Sequence, residues 1–154
     1  MPDNHFRYVV VEGPIGVGKT SLARRLAQSF GSELLLEEPE DNPFLRRFYE
    51  DPRGAALPAQ LFFLVQRARQ MEQLRQSDMF EEVRVADFLL DKDRLFAELT
   101  LDADEMGLYE QIFSKLAIDE PDPDLVFYLP APADVLMRRI AMRGIAHEKR
   151  IQRE

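Results

Sequence analysis

Gly13-Pro-Ile-Gly-Val-Gly-Lys-Thr-Ser21 decides how the rest of this chain reads. The stretch fits G-x-x-x-x-G-K-[ST], with Gly13 and Gly18 as the fixed glycines and Lys19-Thr20 closing the loop. The spacing has a physical cause. Successive backbone N–H groups must converge on one anion, and residues without a Cβ let the chain turn that tightly. Gly16 gives a third such point, and Pro14, Ile15, Val17 and Ser21 complete the expected phosphate cradle. Lys19 can lie along the β- and γ-phosphate oxygens. The Thr20 hydroxyl is placed to ligate Mg²⁺ where a helix begins, and the helix dipole there favours negative charge.

The flanks supply the context that the motif requires. Tyr8-Val-Val-Val-Glu12 is a short apolar run rich in β-branched residues, as expected of a buried parallel strand. Thr20 to Phe30 has helical spacing, with Leu22, Leu26 and Phe30 on one side and Gly31 as a stop.

Working outward, Glu33-Leu-Leu-Leu-Glu37 reads as a second buried strand, and Pro39 and Pro43 keep the next stretch extended before a short helix through Phe44, Leu45 and Phe48. Asp51-Pro-Arg-Gly54 is expected to break it. The longest helix is predicted from about Pro58 to Ser77, with Leu61, Leu64, Val65, Ala68, Met71 and Leu74 as its inner stripe. Val83 to Asp87 is a third strand, weakened by Arg84. Helices follow over Asp91 to Leu99 and Asp104 to Leu116. Asp124 to Leu129 is a fourth strand, and Ala133 to Arg143 is a helix with Val135, Leu136 and Ile140 inward.

Strands separated by helices predict a parallel α/β sheet covered on both faces, with ligands at the carboxyl ends of its strands. A chain of 154 residues suits one domain. The last residues, Lys149 to Glu154, stop within a pattern that predicts a continuing helix, so the reading expects a C-terminal part to be missing.

Composition excludes several classes. With no cysteine there are no disulfides or thiolate metal sites, which suits a reducing cytoplasm. No apolar run approaches the ~18 residues of a membrane helix, and neither a span nor an export signal is expected. A formal net charge of -8 argues against a nucleic-acid polymer as partner.

Phosphoryl transfer needs a phosphate cradle, a metal, a group that prepares the nucleophile and cations that spread the developing charge. Glu38 leaves the second strand just before Pro39 and is the candidate base; the bland alternative is a solvated turn acid. Asp87, at the end of the third strand, is a candidate for Mg²⁺, or else a helix N-cap. Gln60 and Arg67 stand seven apart and share one helix azimuth, which fits either a groove or a wet boundary. Arg139 and Arg143 lie one turn apart before Gly144 and could close over phosphates as a lid across residues 138–150, although charged helix faces are usually just solvated.

Together these residues resemble the deoxynucleoside kinase family over nearly the entire chain. The resemblance implies a P-loop NTPase-type fold and transfer of the ATP γ-phosphoryl group to the 5′-hydroxyl of a deoxynucleoside. It makes Glu38, in Glu38-Pro39, the general base. It implies that Tyr49 binds the sugar, that Gln60 reads the base, that Arg67 supports the catalytic carboxylate and the 5′ end, and that Phe96 stacks on the base. Arg139 and Arg143 match the lid pattern R-x-x-x-R-G, and Glu148 would contact the 3′-hydroxyl. Asp87 stands where the family has acid-Arg-Ser but is followed by Phe-Leu, in the manner of a bacterial branch; it is carried as a metal and substrate contact. A further lid arginine of some members is Ile145 here. A purine substrate and a homodimer are expected from the family alone. One of Asp91, Lys92 and Asp93 is expected near the base edge.

Rival readings remain. A thymidylate-type monophosphate kinase places an arginine just before its Glu-Pro, where this chain has Glu37. A GTP switch would show Asn-Lys-x-Asp and Asp-x-x-Gly, which are absent. A third is an inactive fragment, because the expected last strand and the loop that clasps adenine would follow residue 154.

Overall fold

Four apolar side chains in a row, Tyr8 to Val11, are fully buried in β1 (Tyr8–Glu12), because this strand has a neighbour on either side. The computed structural model describes residues 7–76 and 83–144. In it β1 pairs in parallel with β3 (Arg84–Ala86) and β4 (Leu125–Tyr128), and β3 pairs with β2 (Glu33–Leu35). The sheet order is β2-β3-β1-β4. β1 and β2 are consecutive strands joined by α1 (Lys19–Phe30), yet β3 lies between them, which is the crossover of a doubly wound α/β sheet.

The chain forms two compact units. The first holds the residues up to Glu37, Leu74–Leu89 and Pro121–Arg143, hence the sheet, α1 and α6 (Ala133–Arg143). Its core joins Val9, Val11 and Val85 to Ala23 and Ala27 of α1. Leu22, Leu26 and Phe30, expected as the inner side of that helix, are only partly buried and flank the alanines. The small Ala side chains let the helix axis come close to the sheet, and the larger residues seal its margins. Gly31, at a φ of 61°, ends the helix where the sequence places a stop.

Arg84 does not prevent a strand. It is the register partner of Glu33 and forms an ion pair with it, and burial lowers its pKa. Coverage of both sheet faces holds for β1 and β3 but not for β4, where Val126 and Tyr128 are 42% and 66% exposed. β4 is held instead at its start, where the Asp124 carboxylate accepts the backbone N–H groups of Arg7 and Tyr8 at 2.7 and 2.8 Å. Those two donors hold its pKa below the usual range.

The second unit contains Glu38–Gln73 and Leu90–Glu120. A single 3₁₀ turn (Pro39–Asp41) leads to α2 (Leu45–Glu50). α3 runs Pro52–Gln76, starting six residues before the expected Pro58. Asp51-Pro-Arg-Gly54 does end the short helix, since α2 stops at Glu50 with Asp51 as its cap, and it also starts the next one, because proline is favoured at the first helical position, where its missing N–H costs nothing. Pro58 then lies inside the helix. α4 (Leu90–Thr100) follows, then α5 (Ala103–Leu116), which opens with a reciprocal cap between Asp102 and Glu105.

The buried stripe of α3 also differs from expectation. It runs through Ala56, Gln60, Leu64, Arg67, Met71 and Leu74, while Val65 is 40% exposed. The period is helical, and Leu64, Met71 and Leu74 of the expected stripe are buried, but two of the six inward positions are polar, so hydrophobicity alone finds only part of the stripe. No helix of the described residues is long and apolar enough to cross a membrane.

Candidate active site

The loop between β1 and α1 is shaped by what a side chain would strike. A Cβ on Gly13 would lie 2.6 Å from the Leu129 carbonyl oxygen and 2.9 Å from Val17 Cγ1, so only glycine fits. Gly18, the N-cap of α1, faces open space but has a φ of 103°, so there the need is conformational. Val17 N–H donates to the Pro14 carbonyl at 3.2 Å and closes the turn. α6 fastens the loop from outside. Arg139 Nη1 donates to the Val17 carbonyl at 2.8 Å, and a Cβ on Gly16 would lie 3.1 Å from Ile140.

At the carboxyl ends of the strands, Lys19 Nζ stands 3.8 Å from Glu12 Oε1 and 4.0 Å from Glu37 Oε2. Glu12 is itself fixed, accepting Gly13 N–H and Leu89 N–H at 3.0 Å each. Beside them the Thr20 hydroxyl donates to Asp87 Oδ2 at 2.8 Å, and Asp87 Oδ1 accepts Glu37 N–H at 2.7 Å. Asp87 is buried, and desolvation raises its pKa against the opposing pull of those hydrogen bonds.

This pair fits Mg²⁺ chemically. Both donors are hard oxygens, and Mg²⁺ is usually held by one or two protein oxygens together with phosphates and water. No cluster of three or more His, Cys, Asp or Glu that could hold a metal unaided occurs among the described residues.

In the second unit polarity is gathered inside helices. Arg67 is fully buried on α3, with Nε 3.3 Å from Asp93 Oδ2 of α4 and Nη1 donating to Gln70 Oε1 at 3.2 Å. Its guanidinium lies 6.0 Å from the Phe63 ring centroid. Gln60, two turns earlier on the same stripe, is buried too. The choice between groove and wet boundary therefore falls against the wet boundary. Near the start of this unit, the exposed Glu38 side chain hydrogen-bonds Asp41, which raises its pKa, with smaller contributions from burial and from the charges of Asp41 and Glu40. Gln66 Nε2 donates to the Glu38 carbonyl at 3.3 Å.

A family model described as deoxynucleoside kinase matches residues 9–154. The chain belongs to this family. It is 37% identical over 148 residues to a deoxyguanosine kinase of Bacillus subtilis (strain 168), covering 94% of this chain and 70% of that one. It is 29% identical over 151 residues to a deoxyguanosine kinase of Lactobacillus johnsonii, covering 92% of this chain and 66% of the relative. The chain thus spans about two thirds of the length of these relatives. A solved deoxyadenosine kinase from M. mycoides, with products dCMP and a flexible dCDP bound, has the same fold. Its TM-score is 0.82 at 23% identity, over 94% of this chain and 75% of that one.

Within a deoxynucleoside kinase, the expected site residues fall into two groups. Gly13 to Ser21, Asp87, Arg139 and Arg143 lie in the first unit, and Glu38, Tyr49, Gln60, Arg67 and Phe96 in the second. Tyr49 is half-buried against Phe48, their ring centroids 5.7 Å apart. Phe96 is 44% exposed, with Lys92 Nζ 5.9 Å from its ring centroid. Glu148, Ile145 and the lid beyond Gly144 lie outside the described residues.

Sequence reasoning missed Gln66 and the part of Glu12 in fixing the loop, and it left Asp91, Lys92 and Asp93 undivided. Of these three, Asp93 is buried and Asp91 exposed. Helical phase could have separated them, because Leu90, Asp93 and Ala97 share one face.

Proposed function

We propose that this chain transfers the γ-phosphoryl group of ATP to the 5′-hydroxyl of a purine deoxynucleoside. The observation that carries the reading is the Thr20–Asp87 hydrogen bond beside Lys19, at the mouth of a glycine-shaped loop in a member of this family. A loop of this kind grips a triphosphate, and its lysine and hydroxyl serve the transferring end. The purine preference draws on the deoxyguanosine kinases among the relatives.

In this mechanism the N–H groups of Gly13 to Thr20 hold the β- and γ-phosphates, and Lys19 turns from Glu12 and Glu37 to the phosphate oxygens. Thr20 and Asp87 hold Mg²⁺, which when bound offsets phosphate charge. Glu38 accepts the proton of the 5′-hydroxyl as that oxygen attacks phosphorus. Its raised pKa brings it closer to the working range of a base at neutral pH. Arg143 spreads the developing charge, and Arg139 does so once it leaves the Val17 carbonyl. Tyr49 holds the sugar, Phe96 stacks on the base, and Glu148 takes the 3′-hydroxyl. Gln60 offers the base a donor and an acceptor, and the Arg67–Asp93 pair adds a cation and an anion behind it. We therefore shift Arg67 from support of the 5′ end to the base. The assembly is a homodimer, a point that rests on the family alone.

The test compares deoxyguanosine, deoxyadenosine, deoxycytidine and dGMP as acceptors with ATP, by separating the products. Purine deoxynucleosides should give 5′-monophosphates fastest. Faster use of dGMP would overturn the reading, and faster use of deoxycytidine would overturn its purine part.

A further inference from the structure

Among the described residues of the second unit, Tyr109 of α5 is the one large side chain that combines complete burial with a polar atom no role above employs. Its ring packs with Leu64 and Ala97 and lies 6.2 Å from the Phe113 ring. Leu64 precedes Arg67 by three residues on the buried stripe of α3, and Asp93 precedes Ala97 by one turn on the inner face of α4. The walls of the Tyr109 pocket are therefore the same two helix faces that carry the Arg67–Asp93 pair.

The hydroxyl is buried and has no hydrogen-bond partner among the described residues. A buried phenol normally finds one, because leaving it unsatisfied forfeits its hydration. Burial first, and the Asp93 charge second, push its pKa up, so the group is a proton donor throughout the physiological range. Glu110 acts on it less than Asp93 does, and the exposed Arg94 acts in the opposite sense.

We propose that Tyr109 is a positioning residue for Asp93: its hydroxyl, through one bridging water or a small rotation of the carboxylate, fixes the orientation in which Asp93 pairs with Arg67 and meets the base. The chemistry selects for a donor with no charge. A second cation would compete with Arg67 for the carboxylate, and a second acid would repel it. A phenol adds one hydrogen bond and leaves the charge balance of the pair intact. The inference rests on the reading of Gln60, Arg67 and Asp93 as the base end of the site.

Tyr109→Phe tests it, because the ring and its packing stay while the hydroxyl goes. The expected result is a KM for the preferred nucleoside raised about tenfold, as for loss of one hydrogen bond to a charged group. kcat and the KM for ATP should stay within twofold of wild type, and the preference for purine over deoxycytidine should shrink. Phe113→Leu disturbs the same pocket without touching a hydroxyl, and it should lower the melting temperature while leaving base preference unchanged. Asp93→Asn should weaken nucleoside binding by calorimetry, and adding Tyr109→Phe to it should weaken binding no further.

A Tyr109→Phe protein with wild-type KM and base preference would overturn the proposal and leave Tyr109 as packing. Additive losses in the double variant would overturn it as well. If the wild-type protein phosphorylates no deoxynucleoside, the reading of the site fails first, and it fails independently of any variant.

Discussion

The Gly13–Thr20 loop and the Gln60–Arg67–Asp93 cluster both fix polar groups in place, by opposite means. In the loop, polarity belongs largely to the backbone, and glycine is imposed where a Cβ would strike Leu129 or where φ is positive. In the cluster, polarity belongs to side chains carried by regular helices, and what hides them is the packing of α3 against elements distant in sequence. A local steric rule leaves a mark on the sequence, whereas tertiary burial of a charged residue leaves almost none.

The largest expected effect lies in the loop. Lys19→Met should lower kcat/KM by about 10³-fold or more, since a preorganised cation at a phosphoryl group is worth several kcal/mol. Steady-state kinetics with thermal unfolding as a control reads this. A variant with unchanged kcat/KM would remove the catalytic half of the comparison.

Next comes the cluster. Arg67→Met removes the buried cation paired with the Asp93 carboxyl and should cost about 3 kcal/mol in urea unfolding. Combining it with Asp93→Leu should recover much of that loss, because an apolar pair needs no hydration. If the single and double variants were equally unstable, the burial of Arg67 would not be what holds this region.

Much of the loop half was legible. The strand before it, the helix after it and the Gly31 stop follow from β-branched residues, spacing and glycine, and all three stand in the structure. The parallel sheet followed from alternation of strands and helices. Less of the second unit was legible, for identifiable reasons. Pro52 reads as a breaker and also serves as a helix start, Val65 reads as core and is 40% exposed, and Arg67, which reads as groove or margin alike, is fully buried. Glu12 reads only as an acid at a strand end, and its part in fixing the loop shows once its two N–H partners are seen.

Glu38 provides a smaller test. Glu38→Gln keeps the shape and removes the base, and should lower kcat by about 10²-fold. Asp41→Asn removes the largest influence that raises the Glu38 pKa. Glu38 works when deprotonated, so a raised pKa places the acid limb of kcat/KM above the ordinary carboxylate range, and Asp41→Asn should move that limb to lower pH. A limb that stays in place would mean another group titrates.

The smallest effects separate the two reasons for glycine. Gly13→Ala meets backbone at 2.6 Å and should destabilise by about 2 kcal/mol. Gly18→Ala meets nothing and should cost about 1 kcal/mol through its backbone angle alone. Equal losses in thermal melts would show that steric crowding at Gly13 is relieved by a shift of the Leu129 segment.

The short hydrogen bond from Thr20 to Asp87 has one more consequence. A hydroxyl owns a single hydrogen and two lone pairs, so committing that hydrogen to the aspartate turns both electron pairs the other way. An arriving cation thus meets an oxygen already aimed at it, and the threonine has no torsional search left to make. Replacing Thr20 by serine keeps this aim, while valine, equal in bulk, abolishes it.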